Sequence, residues 1–128
     1  MSSILLVEDD PMQRDLISRI LQRSGYEVWL ALDGMEAVSL ASARYPDIIL
    51  MDALLPVMNG LDATRQLKKQ SNTMHIPVIM LTAYVLIDAL VAKTYGCDDF
   101  ELKPINFSTL LAKIARLSRP TLATELSA

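Results

Sequence analysis

Scarcity narrows the reading of this chain before any motif does. A single cysteine, Cys97, has no partner for an intramolecular disulfide and reads as a small buried side chain. A single histidine, His75, has no metal-binding companions and reads as a loop residue. Four glycines spread over 128 residues supply no glycine-rich loop through which backbone could approach a pyrophosphate. Aromatic residues make up 5% of the chain, and Trp29 and Tyr26 fall on an outer strand as packing residues rather than as a binding platform. Basic clusters are missing too. No Lys/Arg run exceeds Lys68-Lys69 and the net charge is −3, which argues against direct nucleic-acid binding. No apolar run approaches the ~18 residues of a membrane-crossing helix, and there is no charged-then-apolar signal at the N-terminus. The expectation is one soluble, cytoplasmic domain, with 52% apolar content sufficient for a core.

What the chain does have is a set of short apolar runs without polar alternation, the habit of strands buried on both faces of a parallel sheet. The central one is Ile48-Ile49-Leu50-Met51, opened by Pro46-Asp47 and ending on Asp52. Before it, Ile4-Leu5-Leu6-Val7 ends in Glu8-Asp9-Asp10-Pro11, where Asp10 reads as a helix cap and Pro11 as a first helical residue. The helix that follows carries Leu16, Ile17, Ile20 and Leu21 on one face and stops at Gly25. Residues 27–32 form another strand, closed by Asp33-Gly34, and a helix marked by Ala37, Val38, Leu40 and Ala41 runs to Tyr45-Pro46. Asn59 caps a helix with Leu61, Thr64 and Leu67 inward. Ile76 to Leu81 is a fourth strand ending on Thr82, and a helix is expected from near Val85 to Tyr95. Phe100-Glu101-Leu102 leads to Lys103-Pro104, and Asn106 caps a last helix with Phe107, Leu110, Leu111, Ile114 and Leu117. Residues 120–128 offer too little apolar surface to anchor and read as a disordered tail, leaving residues 1–119 as the domain. Five strands alternating with five helices imply an α/β fold with a parallel sheet covered on both faces.

Parallel strands send their carboxyl ends to one rim, which here collects Glu8, Asp9, Asp52, Thr82 and Lys103. Close carboxylates repel unless a cation neutralises them. Oxygen donors with no His or Cys nearby suit a hard ion such as Mg2+, which takes one or two carboxylates together with water and phosphate oxygens. Lys103 supplies charge for an oxyanion, and the Thr82 hydroxyl can donate to it. The rim therefore reads as a place for a phosphoryl group beside Mg2+.

At these residues the chain resembles the receiver domain of two-component response regulators. The resemblance spans residues 3 to about 119 through Ile4 to Pro11, Asp47 to Asp52, Pro56-Val57-Met58-Asn59-Gly60, Val78 to Ala83, and Gly96 to Phe100 with Lys103-Pro104. It implies a flavodoxin-like, doubly wound sheet of order 2-1-3-4-5, an order that the run of elements alone leaves open. It implies that Asp52 accepts a phosphoryl group from a sensor histidine kinase or phosphotransfer protein. Asp9, Asp52, the Leu54 backbone carbonyl and Glu8, directly or through water, would bind Mg2+. Thr82, Lys103 and the Ala83 backbone would hold phosphoryl oxygens, and Thr82 and Phe100 would switch the surface of the fourth helix and fifth strand for a downstream protein. Leu54 and Tyr84 flank the expected path of hydrolytic water. The protein would be a signalling phosphoacceptor rather than an enzyme, apart from self-phosphorylation and slow self-dephosphorylation.

There are departures from the family pattern. Phe100 stands where tyrosine is commonest. The stretch from Thr82 to Gly96 is short and unusually apolar, with Val85, Leu86, Ile87, Leu90 and Val91. That excess implies either plain burial or a phosphorylation-dependent homodimer or partner contact through Leu86 and Ile87. Competing readings are weaker. A dinucleotide binder would not place Glu8-Asp9-Asp10-Pro11 at its first turn, and an Asp-based phosphatase would carry a second Asp at the position of Leu54. A vestigial receiver acting as a phosphorylation-independent interaction module would have little reason to keep Asp9, Asp52, Thr82 and Lys103 together. Nothing after Ser118 reads as an effector domain, so the chain is either a stand-alone receiver or one cut from a larger protein.

Overall fold

The uninterrupted apolar runs form the middle of the sheet. In a computed structural model, which describes residues 2–84 and 87–118, five strands alternate with five helices. The strands are β1 (Ser3–Val7), β2 (Glu27–Ala31), β3 (Ile48–Asp52), β4 (Val78–Thr82) and β5 (Asp99–Leu102). The helices are α1 (Pro11–Arg23), α2 (Gly34–Arg44), α3 (Gly60–Lys69), α4 (Ala89–Thr94) and α5 (Phe107–Leu117). All strand pairs are parallel and the order is β2-β1-β3-β4-β5, a doubly wound, flavodoxin-like α/β sandwich. Every residue of β1, β3 and β4 is buried, whereas the edge strands β2 and β5 mix buried and exposed positions.

Alternation along the strands divides the core into two layers. Leu5, Val7, Ile49, Met51, Val78 and Met80 pack with Ala37 and Ala41 of α2 and Ala63 and Leu67 of α3. Ile4, Leu6, Ile48, Leu50, Ile79 and Leu81 pack with Ile17 and Leu21 of α1 and Leu110 and Ile114 of α5. Burying each large apolar side chain contributes about 1.5–3 kcal/mol, so these two layers dominate the stability of the sheet.

The helices begin where local chemistry dictates. Asp10 accepts the Met12 N–H at 3.1 Å, Asn59 accepts the Asp62 N–H at 2.9 Å and Asn106 accepts the Thr109 N–H at 3.1 Å. Each cap contributes about 1 kcal/mol and fixes how the chain leaves the preceding strand. Asp10 is thus occupied as a cap, as its Asp-Pro context suggests.

Several expectations need correction. Leu16 is 53% exposed although the apolar pattern groups it with the inward residues of α1; Ile17 and Leu21 alone of that group are fully buried, and the core-facing stripe is narrower than the pattern. β2 stops at Ala31, leaving Leu32 beyond the strand. The helix expected from near Val85 starts only at Ala89, because Asp88 takes the N-cap position and accepts the Val91 N–H at 3.0 Å. Val85 and Leu86 lie outside the described residues. Of the two expectations for Ile87, plain burial or an association contact, burial is the one observed: Ile87 is 7% exposed and belongs to the core layer, while Leu90 is 74% exposed. The expected tail at 120–128 also lies outside the described residues. Among the described residues no helix is long and apolar enough to cross a membrane.

Candidate functional site

Register brings the strand ends together. Val7 pairs with Met51, which sets Glu8 and Asp9 beside Asp52, while Asp52 pairs with Leu81 and Thr82 with Leu102. The Lys103 N–H donates to the Thr82 carbonyl at 2.7 Å, so Lys103 enters the same edge directly after β5. Glu8, Asp9 and Asp52 each offer a carboxylate oxygen, and these oxygens lie within 4.8 Å of one another. Glu8 is 1% exposed and Asp52 8%, whereas Asp9 faces solvent.

One ammonium serves two buried carboxylates. Lys103 Nζ donates to Glu8 Oε1 at 2.7 Å and to Asp52 Oδ2 at 3.4 Å. Asp52 Oδ1 accepts the Leu54 N–H at 3.3 Å. Burial, followed by the hydrogen bond and repulsion from Glu8, pushes the Asp52 carboxyl up to about 7, with Lys103 and the Leu54 N–H opposing. The cluster holds more negative charge than Lys103 can offset, and its donors are all oxygen. That combination fits a hard divalent cation, which would lower the Asp52 pKa and favour its ionised form at neutral pH.

The loop after β3 folds tightly back on the end of the strand. Gly60 N–H donates to the Ala53 carbonyl at 2.9 Å, and a Cβ at Gly60 would run into the Asp52 carbonyl, so glycine is required for this close approach. Between them the Met58 N–H turns back to the Pro56 carbonyl at 2.7 Å around Val57, whose φ is 69°. The Leu54 side chain consequently stands 59% exposed at the rim.

The remaining expected residues divide between the rim and the core. Thr82 is fully buried and its Oγ1 accepts the Tyr84 N–H at 2.9 Å, leaving its own O–H free to turn. Tyr84 is 47% exposed, and Ala83 is exposed beside an open cavity of about 460 Å3 that Leu16, Ile17, Lys103, Ile105 and Phe107 also line. Phe100 is not part of the acidic cluster. It pairs with Met80 in the sheet and packs, half-buried, against the core layer on the α2 and α3 side. One residue at the site belongs to none of the sequence motifs. Arg14 Nη1 donates to the Glu8 carbonyl at 3.1 Å and the Asp9 carbonyl at 3.3 Å. Its signal is a cation in the first turn of α1, where the helix dipole disfavours positive charge.

Comparison with known proteins agrees with this geometry. Residues 4–115 match the family model of the response regulator receiver domain. The chain is 38% identical over 115 residues to protein PilH of Pseudomonas aeruginosa, covering 89% of this chain and 95% of PilH. It is 38% identical over 122 residues to the DNA-binding dual master transcriptional regulator RpaA of Synechocystis, covering 94% of this chain but 51% of RpaA, so it spans about half of that relative. Among solved structures it is similar to the receiver domain of sensor histidine kinase PA1611 from Pseudomonas aeruginosa, which has a magnesium ion coordinated in the active-site cleft. That pair has a TM-score of 0.85 and 37% identity, with 91% of this chain and 97% of the other covered.

Proposed function

We propose, since this chain belongs to the response regulator receiver domain family, that it is a phosphoacceptor in a two-component phosphorelay and takes its phosphoryl group on Asp52. The observation that carries this reading is the placement of Asp52 at the end of a buried strand, within reach of Lys103 and crowded by Glu8 and Asp9. Receiver domains are signalling modules, and residues 1–119 would form the signalling unit. The donor would be a phosphohistidine on a sensor histidine kinase or phosphotransfer protein.

In the reaction an Asp52 carboxylate oxygen attacks phosphorus in line, the P–N bond breaks, and its electron pair returns to the donor imidazole. Asp9, Asp52, the Leu54 carbonyl and Glu8, directly or through water, would hold Mg2+. When bound, Mg2+ supplies charge neutralisation for the transferring group. Lys103 would neutralise a phosphoryl oxygen, and the Thr82 hydroxyl and Ala83 N–H would donate to the others. Drawing the Thr82 hydroxyl toward the phosphoryl group would vacate space into which Phe100 turns, changing the α4 and β5 surface that a downstream protein reads.

A small-molecule phosphodonor with Mg2+ should add one phosphoryl group to the wild-type chain and none to Asp52→Asn, read by intact mass. Modification persisting in Asp52→Asn would move the acceptor elsewhere. A wild-type chain that stays unmodified would instead leave a phosphorylation-independent interaction module.

A further inference from the structure

Asp9 is held differently from the other two carboxylates. Glu8 is anchored through its side chain by Lys103 and through its backbone N–H, which donates to the Ala31 carbonyl at 3.1 Å. Asp52 is anchored by Lys103 and the Leu54 N–H. The exposed Asp9 carboxylate has no hydrogen-bond partner among the described residues, so its position depends on the backbone beneath it. Among the described residues, the side chain bonded to that backbone is Arg14, whose Nη1 bridges the Glu8 and Asp9 carbonyls at 3.1 and 3.3 Å. Arg14 is itself fixed, since its N–H donates to the Asp10 carbonyl at 2.9 Å as part of the first turn of α1.

We propose that Arg14 is a positioning residue for the cation site, clamping the two consecutive peptides that present Glu8 and Asp9. The inference rests on the receiver reading above. A long cationic side chain suits this task because one nitrogen carrying more than one hydrogen, here Nη1, can donate to both adjacent carbonyls. Its presence in the first turn runs against the helix dipole, so helix formation alone gives no reason for it.

Two effects of Arg14 on Mg2+ have opposite sign. Its charge, close to a cation site, repels Mg2+; its hydrogen bonds hold Asp9 ready for it. If charge dominates, removing Arg14 tightens Mg2+ binding. If positioning dominates, removal weakens it, and losses of about 10–100-fold are typical when a partner that orients a metal ligand is removed. Positioning should win here, because the guanidinium is hydrogen-bonded directly to the peptides it orients while its charge, only partly buried, is screened by solvent.

The test is calorimetric titration with Mg2+ of the wild type, Arg14→Met and Arg14→Lys, each paired with urea denaturation in the absence of metal. Arg14→Met should bind Mg2+ about tenfold more weakly. Arg14→Lys, which still reaches toward the carbonyls, should recover most of that loss, and the metal-free midpoints should stay close together, since the Asp9 carbonyl bond is exposed. Unchanged or tighter binding by Arg14→Met overturns the inference. So does a fall in metal-free stability that parallels the affinity loss in both variants, which would make Arg14 a structural prop. Failure of the wild type itself to bind Mg2+ overturns the proposed Mg2+-dependent phosphoacceptor function on which the inference stands, and so separates the two failures.

Discussion

Two half-buried lysines sit at opposite ends of the sheet and meet opposite balances of charge. At the amino-terminal end of β4, Lys68 Nζ donates to the Met74 carbonyl at 3.3 Å, the Ile76 carbonyl at 2.8 Å and Asp98 Oδ2 at 2.9 Å. Asp98 Oδ2 also accepts the Val78 N–H at 2.8 Å. One cation meets one anion, and the remaining donors are filled by backbone carbonyls. At the carboxyl-terminal end, Lys103 faces both Glu8 and Asp52, with Asp9 nearby. The first arrangement closes a joint between α3, β4 and β5. The second leaves surplus negative charge in a place where a cation can enter. Similar chemistry therefore serves structure when it is balanced and supports ligand binding when it is not.

Breaking the balanced joint should have the largest effect on stability. Lys68→Met leaves two carbonyls and Asp98 without their cation, which in a fully buried pair costs about 3–5 kcal/mol. The Lys68 and Asp98 side chains are 19% and 37% exposed, so a loss of about 2–3 kcal/mol in urea denaturation is expected. Lys103→Met, measured without metal at pH 6, should cost less, because a protonated Asp52 can donate to Glu8 in place of the ammonium. A larger loss for Lys103→Met than for Lys68→Met would contradict the contrast between the two ends.

The surplus charge should also emerge as a pH dependence. Asp52 has a folded-state pKa near 7 against an ordinary value of 3.8. A carboxyl raised on folding favours the folded state fully below its unfolded pKa, and that advantage is lost as pH rises through the folded value. Metal-free protein should therefore lose stability from about pH 4 to pH 7 and then level off. Asp52→Asn should be more stable than wild type by about 2 kcal/mol at pH 8, with the difference vanishing near pH 4. Saturating Mg2+ should raise wild-type stability and reverse the order at pH 8. Parallel pH profiles for the two proteins would mean that the rim is not strained by charge.

How much of this is legible in the sequence depends on the range of each interaction. The buried strands and the caps Asp10, Asn59 and Asn106 act within a few residues, and their signals are clear. The rim residues Glu8, Asp9, Asp52, Thr82 and Lys103 are legible because parallel strands must deliver their carboxyl ends to one side. The strand order comes from family resemblance, since apolar runs alone do not specify neighbours. Asp88 is hidden because apolar residues on both sides of it suggest one continuous helix, although a short polar side chain there is a cap signal. The same apolar run leaves burial and association open for Ile87, which only tertiary packing decides. The Lys68–Asp98 joint spans 30 residues of sequence and Gly60 matters through a contact with the Asp52 carbonyl, so neither has a local signature.

The smallest effect expected concerns how long a phosphoryl group would persist at the unbalanced end. Hydrolysis of an aspartyl phosphate requires water in line with the departing Asp52 oxygen, and positioning supplies much of the catalysis in phosphoryl transfer. Leu54 and Tyr84 stand at the rim, 59% and 47% exposed, and neither carries a carboxylate, amide or ammonium group with which to orient that water. Their bulk can obstruct the approach, while their exposure leaves room for polar replacements without loss of core packing. Leu54→Asn and Leu54→Asn/Tyr84→Glu should therefore speed phosphate loss by about tenfold, equivalent to about 1.4 kcal/mol of barrier, with the double variant the faster. Mg2+ affinity should stay unchanged, because the ligand expected from Leu54 is its backbone carbonyl. Following phosphate release after removal of the donor measures both variants against wild type. Equal lifetimes would show that backbone alone governs water access, and accelerated release accompanied by altered Mg2+ affinity would trace the change to the cation site instead of the path of the water.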